Sequence, residues 1–300
     1  AAPPAQAAPA APAEGVRPAP PSPRRVQPQS TGLAEPAVLS SRDSAEQLER
    51  LQYLCQLLRR TRQPVCGVNG VLTLIPFSYL HATPAEAEPL QRAIKSDLTT
   101  VQQTLQLHAP TIAMVTGMEA EQGFRELVRR VGRDRAVRQR FGHKFDVRRY
   151  ASREELTALT AHVCGTFEDW IYALFRERGA LSHPGNTHLY GLLCKIRCHV
   201  TMRLADVLCQ GFGYDPQRQS DDERTLFSGC YFAATGDSSD RQAFVRGVLD
   251  KIVDENELVE WTEQALRDYR RYRRWTVAGY AVAALLLALS IGAAVFRQMS

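Results

Sequence analysis

Three hundred residues suit one or two folded domains, and a 44% hydrophobic share is ordinary for a globular chain. The net charge of +5 is too modest to point to nucleic acid by itself. Seven cysteines, an odd number scattered through apolar segments, argue against a disulfide framework and for reduced thiols in a cytosolic domain.

Residues 1–43 are mostly Ala, Pro, Ser, Gln and Gly, and ten of the chain's 17 prolines lie between Pro3 and Pro36. Such a segment buries too little apolar surface to offset its ordering entropy, so a disordered linker is expected. It lacks the apolar core of a secretory signal peptide. With no initiator Met, the chain is expected to be a piece of something longer or a processed product.

A folded α/β domain is expected over 44–265. Ser44 with Gln47 forms a capping box ahead of Leu48, Leu51, Leu54, Cys55 and Leu58 at helical spacing. Val68 to Phe77, with the run Val71, Leu72, Leu74 and Ile75, reads as a buried strand. A second helix carries Leu90, Ile94, Leu98, Val101 and Leu105, with Pro89 marking its start or a kink. Thr111 to Thr116 is a second buried strand. Phe124, Leu127, Val128 and Val131 mark a short helix.

Between Arg125 and Arg153 lie 11 Lys or Arg against three acidic residues. Aromatics are not interleaved as a base-stacking platform requires, so this stretch reads as a solvated face near a membrane. A helical insertion is expected over about 150–212. Ser152 with Glu155 caps its first helix, which carries Leu156, Leu159, Val163, Phe167, Trp170, Ile171 and Leu174. Its second helix runs from about His188 to Gln210. Cys230 to Ala234 is a third strand, and Asp240 opens a helix with Phe244, Val248, Ile252 and Leu258. This alternation predicts a parallel sheet with helices on both faces, the first two strands being parallel neighbours.

Trp275 to Phe296 holds no charged residue over 22 positions. At 1.5 Å per residue it spans ~33 Å, enough to cross a hydrocarbon core as one transmembrane helix. Trp275 and Tyr280 stand where interfacial aromatics are found. Arg267, Arg270, Arg271, Arg273 and Arg274 precede the span and only Arg297 follows it, which predicts a cytoplasmic N-terminal part.

Metal chemistry finds little support. Cys194 and Cys198 share a helix face beside His199, but a second ligand pair at metal spacing is missing. With Thr201 and Ala205 they read as a small-residue packing stripe. Asp221, Asp222 and Glu223 read as a solvated turn rather than an acid–base pair, and no Gly-x-Ser-x-Gly elbow occurs.

Four segments, in order, resemble the inner-membrane TssM/IcmF family of type VI secretion systems. Arg59-x-Thr61-Arg62-Gln63-Pro64 leading to Asn69-Gly70-Val71 is similar to its Pro-hydrophobic-Asn-Gly-Val segment. Thr116-Gly117-Met118-Glu119 followed by Gly123-Phe124 resembles its Thr-Lys-x-Asp … Gly-Phe stretch. Gly229-Cys230-Tyr231-Phe232-Ala233-Ala234-Thr235-Gly236 resembles its Gly-x-Tyr-Phe-x-Ser segment, and an Arg-rich stretch with a transmembrane helix follows.

The resemblance implies a P-loop GTPase-like cytoplasmic domain, here incomplete, on a bacterial inner-membrane scaffold. It implies other secretion subunits and membrane lipid as partners. Neither nucleic acid nor a small-molecule substrate is expected. Catalysis is not expected either: Gly-Lys-Ser and Gly-Lys-Thr are absent, so the phosphate cradle is missing. At the base-reading positions the family's Lys is Gly117 and its Asp is Glu119, leaving Thr116, Gly117 and Glu119 as a degenerate site with no expected cofactor. The alternative is a nucleotide-binding membrane switch whose phosphate-binding half is missing from this chain. A third possibility, an unrelated single-span adaptor, would be favoured by an all-helical soluble part.

Overall fold

The computed structural model describes residues 41–62, 66–81, 84–238 and 241–299. Most of the proposed linker, and Pro64 and Asp240, lie outside the described residues.

In chain order, α1 (Ser41–Arg62) leads to β1 (Val71–Pro76), and α2 (Pro84–Leu105) to the short β2 (Leu107–His108) and then β3 (Thr111–Thr116). Next come α3 (Gln122–Val131), α4 (Arg133–Arg138), β4 (Phe141–Lys144), α5 (Arg153–Phe175), α6 (Asn186–Lys195) and α7 (Thr201–Gly211). The chain closes with β5 (Phe227–Phe232), β6 (Ala234–Thr235), β7 (Gln242–Ala243), α8 (Val245–Asp254), β8 (Glu260–Trp261) and α9 (Glu263–Met299).

The main sheet has four strands in the order β1-β3-β5-β4. β1 and β3 are parallel neighbours, Val71 opposite Thr111 and Pro76 opposite Thr116, and α2 connects them. β5 is parallel to β3. The sheet is nevertheless mixed, because β4 runs antiparallel along β5, Phe141 opposite Phe232. That strand lies inside the stretch read as a solvated basic face. Its Phe141, and Phe145 just after it, are buried, so the basic surface is carried by a structured strand and two helices.

Strand side chains alternate between two layers. Ile75, Ala113, Val115, Cys230 and Phe232 face a thick helical layer to which α2, α3, α5, α6 and α7 contribute. An aromatic cluster is its centre: Phe167 stands edge-on to Phe141 at 4.6 Å and to Phe232 at 4.8 Å. The helices over 153–211 thus form a main layer on the sheet. Leu72, Ile112, Met114, Tyr231 and Ala233 face α8, which covers the other side incompletely and leaves Leu74 53% exposed.

Several boundaries move from their predicted places. α1 already starts at Ser41, so Ser44 lies inside the helix and is not its cap. Pro89 lies within α2 rather than at its start. The helix expected from Asp240 begins at Val245, with Phe244 before it at a left-handed φ of 64°, and it ends at Asp254, short of Leu258. The helix over 188–210 is α6 and α7 joined through a π-helical turn, Ile196–Val200. The Ser152 cap is present: its hydroxyl accepts from the Glu155 N–H at 3.3 Å.

α9 runs unbroken for 37 residues, ~55 Å at helical rise. Among the described residues it is the one helix long and apolar enough to cross a membrane, and its apolar window is unburied. Its root is fixed to the domain. Trp261 of β8 pairs with Leu107 of β2, and the Thr262 hydroxyl caps the helix by accepting from the Ala265 N–H at 3.3 Å. Asp222, from the acidic turn, accepts from the Glu263 N–H at 3.2 Å, placing negative charge at the positive end of the helix dipole.

Candidate functional site

In parallel sheets, ligands gather at the carboxyl ends of the strands. Here that edge is built from the residues after β3 and β5. Thr116 ends β3, and Gly117 turns the chain with φ 81°, a left-handed conformation that a Lys at this position would hold only under strain. Met118 is fully buried and orients the turn. Glu119 then reaches across to β6, where its Oε2 accepts the Thr235 N–H at 2.9 Å. Glu119 therefore acts as a clip between two loops.

Beside it, Glu121 receives the Lys195 ammonium through both carboxylate oxygens, at 2.9 and 2.8 Å, and His81 Nε2 lies 3.8 Å away. Burial, and then the Lys195 charge, hold the His81 imidazole below its usual range. Lys195 stands just before the π-helical turn, so the contact joins β1's exit, α3's entry and the end of α6. Further along α3, Glu126 is bound by Arg129 and Arg130, and Arg130 reaches Asn186 at 2.8 Å. The hydrogen bond from Arg129 foremost pulls the Glu126 carboxyl down to about 2.

An open cleft of about 530 Å³ adjoins Glu119, between α3–α4 on one side and β6–β7 on the other. Arg125, Arg129, Arg133 and Arg241 form its rim, and the part-exposed Val128 lies on its floor above the buried Phe124 and Ala243.

The motif residues take up packing positions. Asn69 is exposed and Val71 partly buried. A Cβ on Gly70 would meet Ile252 of α8 at 2.6 Å, and one on Gly123 would meet the His188 carbonyl of α6 at 2.4 Å. Gly229, at φ 148°, lets β4 approach, its Cβ position lying 2.7 Å from the His143 carbonyl. Phe124, Tyr231 and Phe232 are core. These positions secure helix–sheet and strand–strand contacts.

Thiol chemistry is muted in the interior, where burial pushes Cys164 up to about 11 and Cys230 higher still. Among the described residues, no three His, Cys, Asp or Glu converge as a metal site would require. Arg270, Arg271, Arg273, Arg274, Trp275 and Phe296 all lie on α9, the four arginines and Trp275 being exposed. Lys195 and Arg241 escaped the sequence reading, which had Thr235 only in a family-like segment and Asp222 only in a solvated turn. Asp222 instead accepts from the first turn of α9.

The fold and this edge define a parallel-rich α/β domain set on a long apolar helix. The chain belongs to the IcmF-related N-terminal domain family, whose model matches residues 44–232. No curated protein and no solved structure shows significant similarity to it.

Proposed function

We propose that this protein is a scaffold component of a type VI-like, IcmF-type secretion complex in the bacterial inner membrane. Its α/β domain docks partners on the cytoplasmic side, and α9 crosses the bilayer. The observation that carries this reading is the family match over residues 44–232 joined to a capped, continuous apolar helix. The rigid root at Thr262 supports it, since a docking domain built directly onto its anchor transmits its position to the membrane.

A structural role is favoured over nucleotide switching. Glu119 is engaged by Thr235, and Gly117 offers no cation for a base or phosphate. The experiment is a chromosomal deletion of Trp275–Phe296, with the truncated protein's level checked by immunoblot. Secretion of the system's effectors should fall to the level of a full deletion. Secretion at wild-type levels in either strain would overturn the proposal.

A further inference from the structure

We infer that the cleft between α3–α4 and β6–β7 binds an acidic segment of a partner protein carrying an apolar anchor residue. This rests on the docking reading above and names the chemistry of what is docked.

Among the described residues, the charge on the rim is uncompensated. Glu119 is committed to the Thr235 N–H, and Glu126 is taken by Arg129 and Arg130. Among the described residues, Arg125, Arg133 and Arg241 form no ion pair, although all three border one cleft. Guanidinium groups gathered this way repel one another, and a carboxylate ligand relieves that repulsion through bidentate contacts.

The geometry selects a linear ligand. Arg125 and Arg129 stand ~6 Å apart along α3, the helix breaks at Gly132, and Arg133 carries the row onto α4, with Arg241 facing it across the cleft. Such a row matches successive carboxylates on a peptide better than one compact phosphate. Part-exposed Val128 and the aliphatic stems of the arginines suit contact with a Leu-sized side chain. Phe124 is fully buried and presents no free ring face, so the cleft lacks the platform on which single-stranded nucleic acid stacks.

Position excludes lipid. α9 is rooted through Gln106, Asp222 and β2, all just ahead of the amino ends of β3 and β5. Glu119 and Ala234, at the cleft, follow the carboxyl ends of the same strands. Six residues of strand, ~20 Å, lie between the membrane helix's root and the binding site.

The test uses the full chain in nanodiscs of zwitterionic lipid and a fluorescein-labelled 14-residue peptide of Glu and Leu, followed by anisotropy. The triple variant Arg125→Glu, Arg133→Glu, Arg241→Glu should weaken binding at least tenfold. Arg138→Glu, Arg148→Glu, Arg178→Glu, an equal charge change outside the cleft, should leave it within twofold. Val128→Trp, which fills the floor without altering charge, should weaken it about fivefold, and circular dichroism checks that each variant folds. Equal losses in the two triple variants would overturn the inference, as would displacement of the peptide by an equal concentration of a 14-nucleotide single strand. The outcomes separate from those for the scaffold reading. Peptide binding unaffected by the cleft variants, with secretion lost in the span deletion, overturns the cleft alone. Cleft-dependent binding with normal secretion in the deletion overturns only the scaffold.

Discussion

Gly123→Ala sets two physical effects of opposite sign against each other. Gly123 lies in α3, and in an unobstructed helix the exchange stabilises by ~1 kcal/mol because Ala restricts the unfolded backbone. Here the added carbon would stand 2.4 Å from the His188 carbonyl oxygen and 2.5 Å from the Leu192 Cβ. Comfortable contact needs ~3.5–4.0 Å, so α3 and α6 must part by roughly 1 Å. Neither obstacle can rotate away, one being backbone and the other a Cβ. Overpacking costs ~1–3 kcal/mol, and with no rotamer escape the upper end applies, leaving a net loss of ~2 kcal/mol. For a domain of this size that lowers the melting temperature by ~4–8 °C. Thermal unfolding of the full chain in detergent, followed by circular dichroism, reads the shift. Gly165→Ala in α5 and Gly191→Ala in α6 are internal controls, because nothing lies within 4 Å of their added carbons. They should stabilise by ~0.5–1 kcal/mol. A Gly123→Ala protein that melts with the controls, above wild type, would refute the close α3–α6 packing.

Glu126 has a carboxyl lowered from about 4.5 to about 2 in the folded chain. Because the folded value is depressed, its contribution is complete above about 4.5 and is lost as pH falls towards 2. Glu126→Gln should therefore cost ~2 kcal/mol at pH 7, and the gap to wild type should close progressively below pH ~4.5 in urea titrations. A reporter fused before Leu48 should be cytoplasmic and one after Ser300 outside the inner membrane; replacing Arg270, Arg271, Arg273 and Arg274 by Gln should scramble that orientation. Calorimetry of the full chain with submillimolar GTP or ATP, with or without Mg²⁺, should show no binding heat. Two or three neutral hydrogen bonds at ~1 kcal/mol each do not offset association entropy of several kcal/mol. Micromolar affinity would move the protein to the nucleotide-switch class.

The edge chemistry has a consequence for how such a domain works. Glu119 clips the turn after β3 to β6, and Glu121 holds Lys195 beside His81. Both contacts lie at the carboxyl edge, where a nucleotide-binding relative of this architecture would need open loops. The carboxylates of this edge serve as braces, while three arginines without an ion pair among the described residues border the neighbouring cleft.

The amino-acid sequence by itself determined the elements whose signal is local. Val71–Pro76 and Thr111–Thr116 are apolar runs found as the adjacent parallel strands expected, although the first, read as buried, is an edge strand and only partly covered. The Ser152 cap and the uncharged run in α9 were legible for the same reason, since each depends on neighbours within a turn or on one continuous segment. Only the tertiary structure decided the rest. β4 reads Phe-Gly-His-Lys, with little strand preference, and exists because Gly142 and Gly229 let its backbone close against β5. Phe244 takes a left-handed turn to complete the aromatic core, which displaces the predicted helix start. Glu119 meets Thr235 across 116 residues, and Arg241 faces Arg125 across a comparable separation. Periodicity reports which face of an element is buried; it carries no information on which distant loop that element will touch, because that is settled by strand order and helix packing.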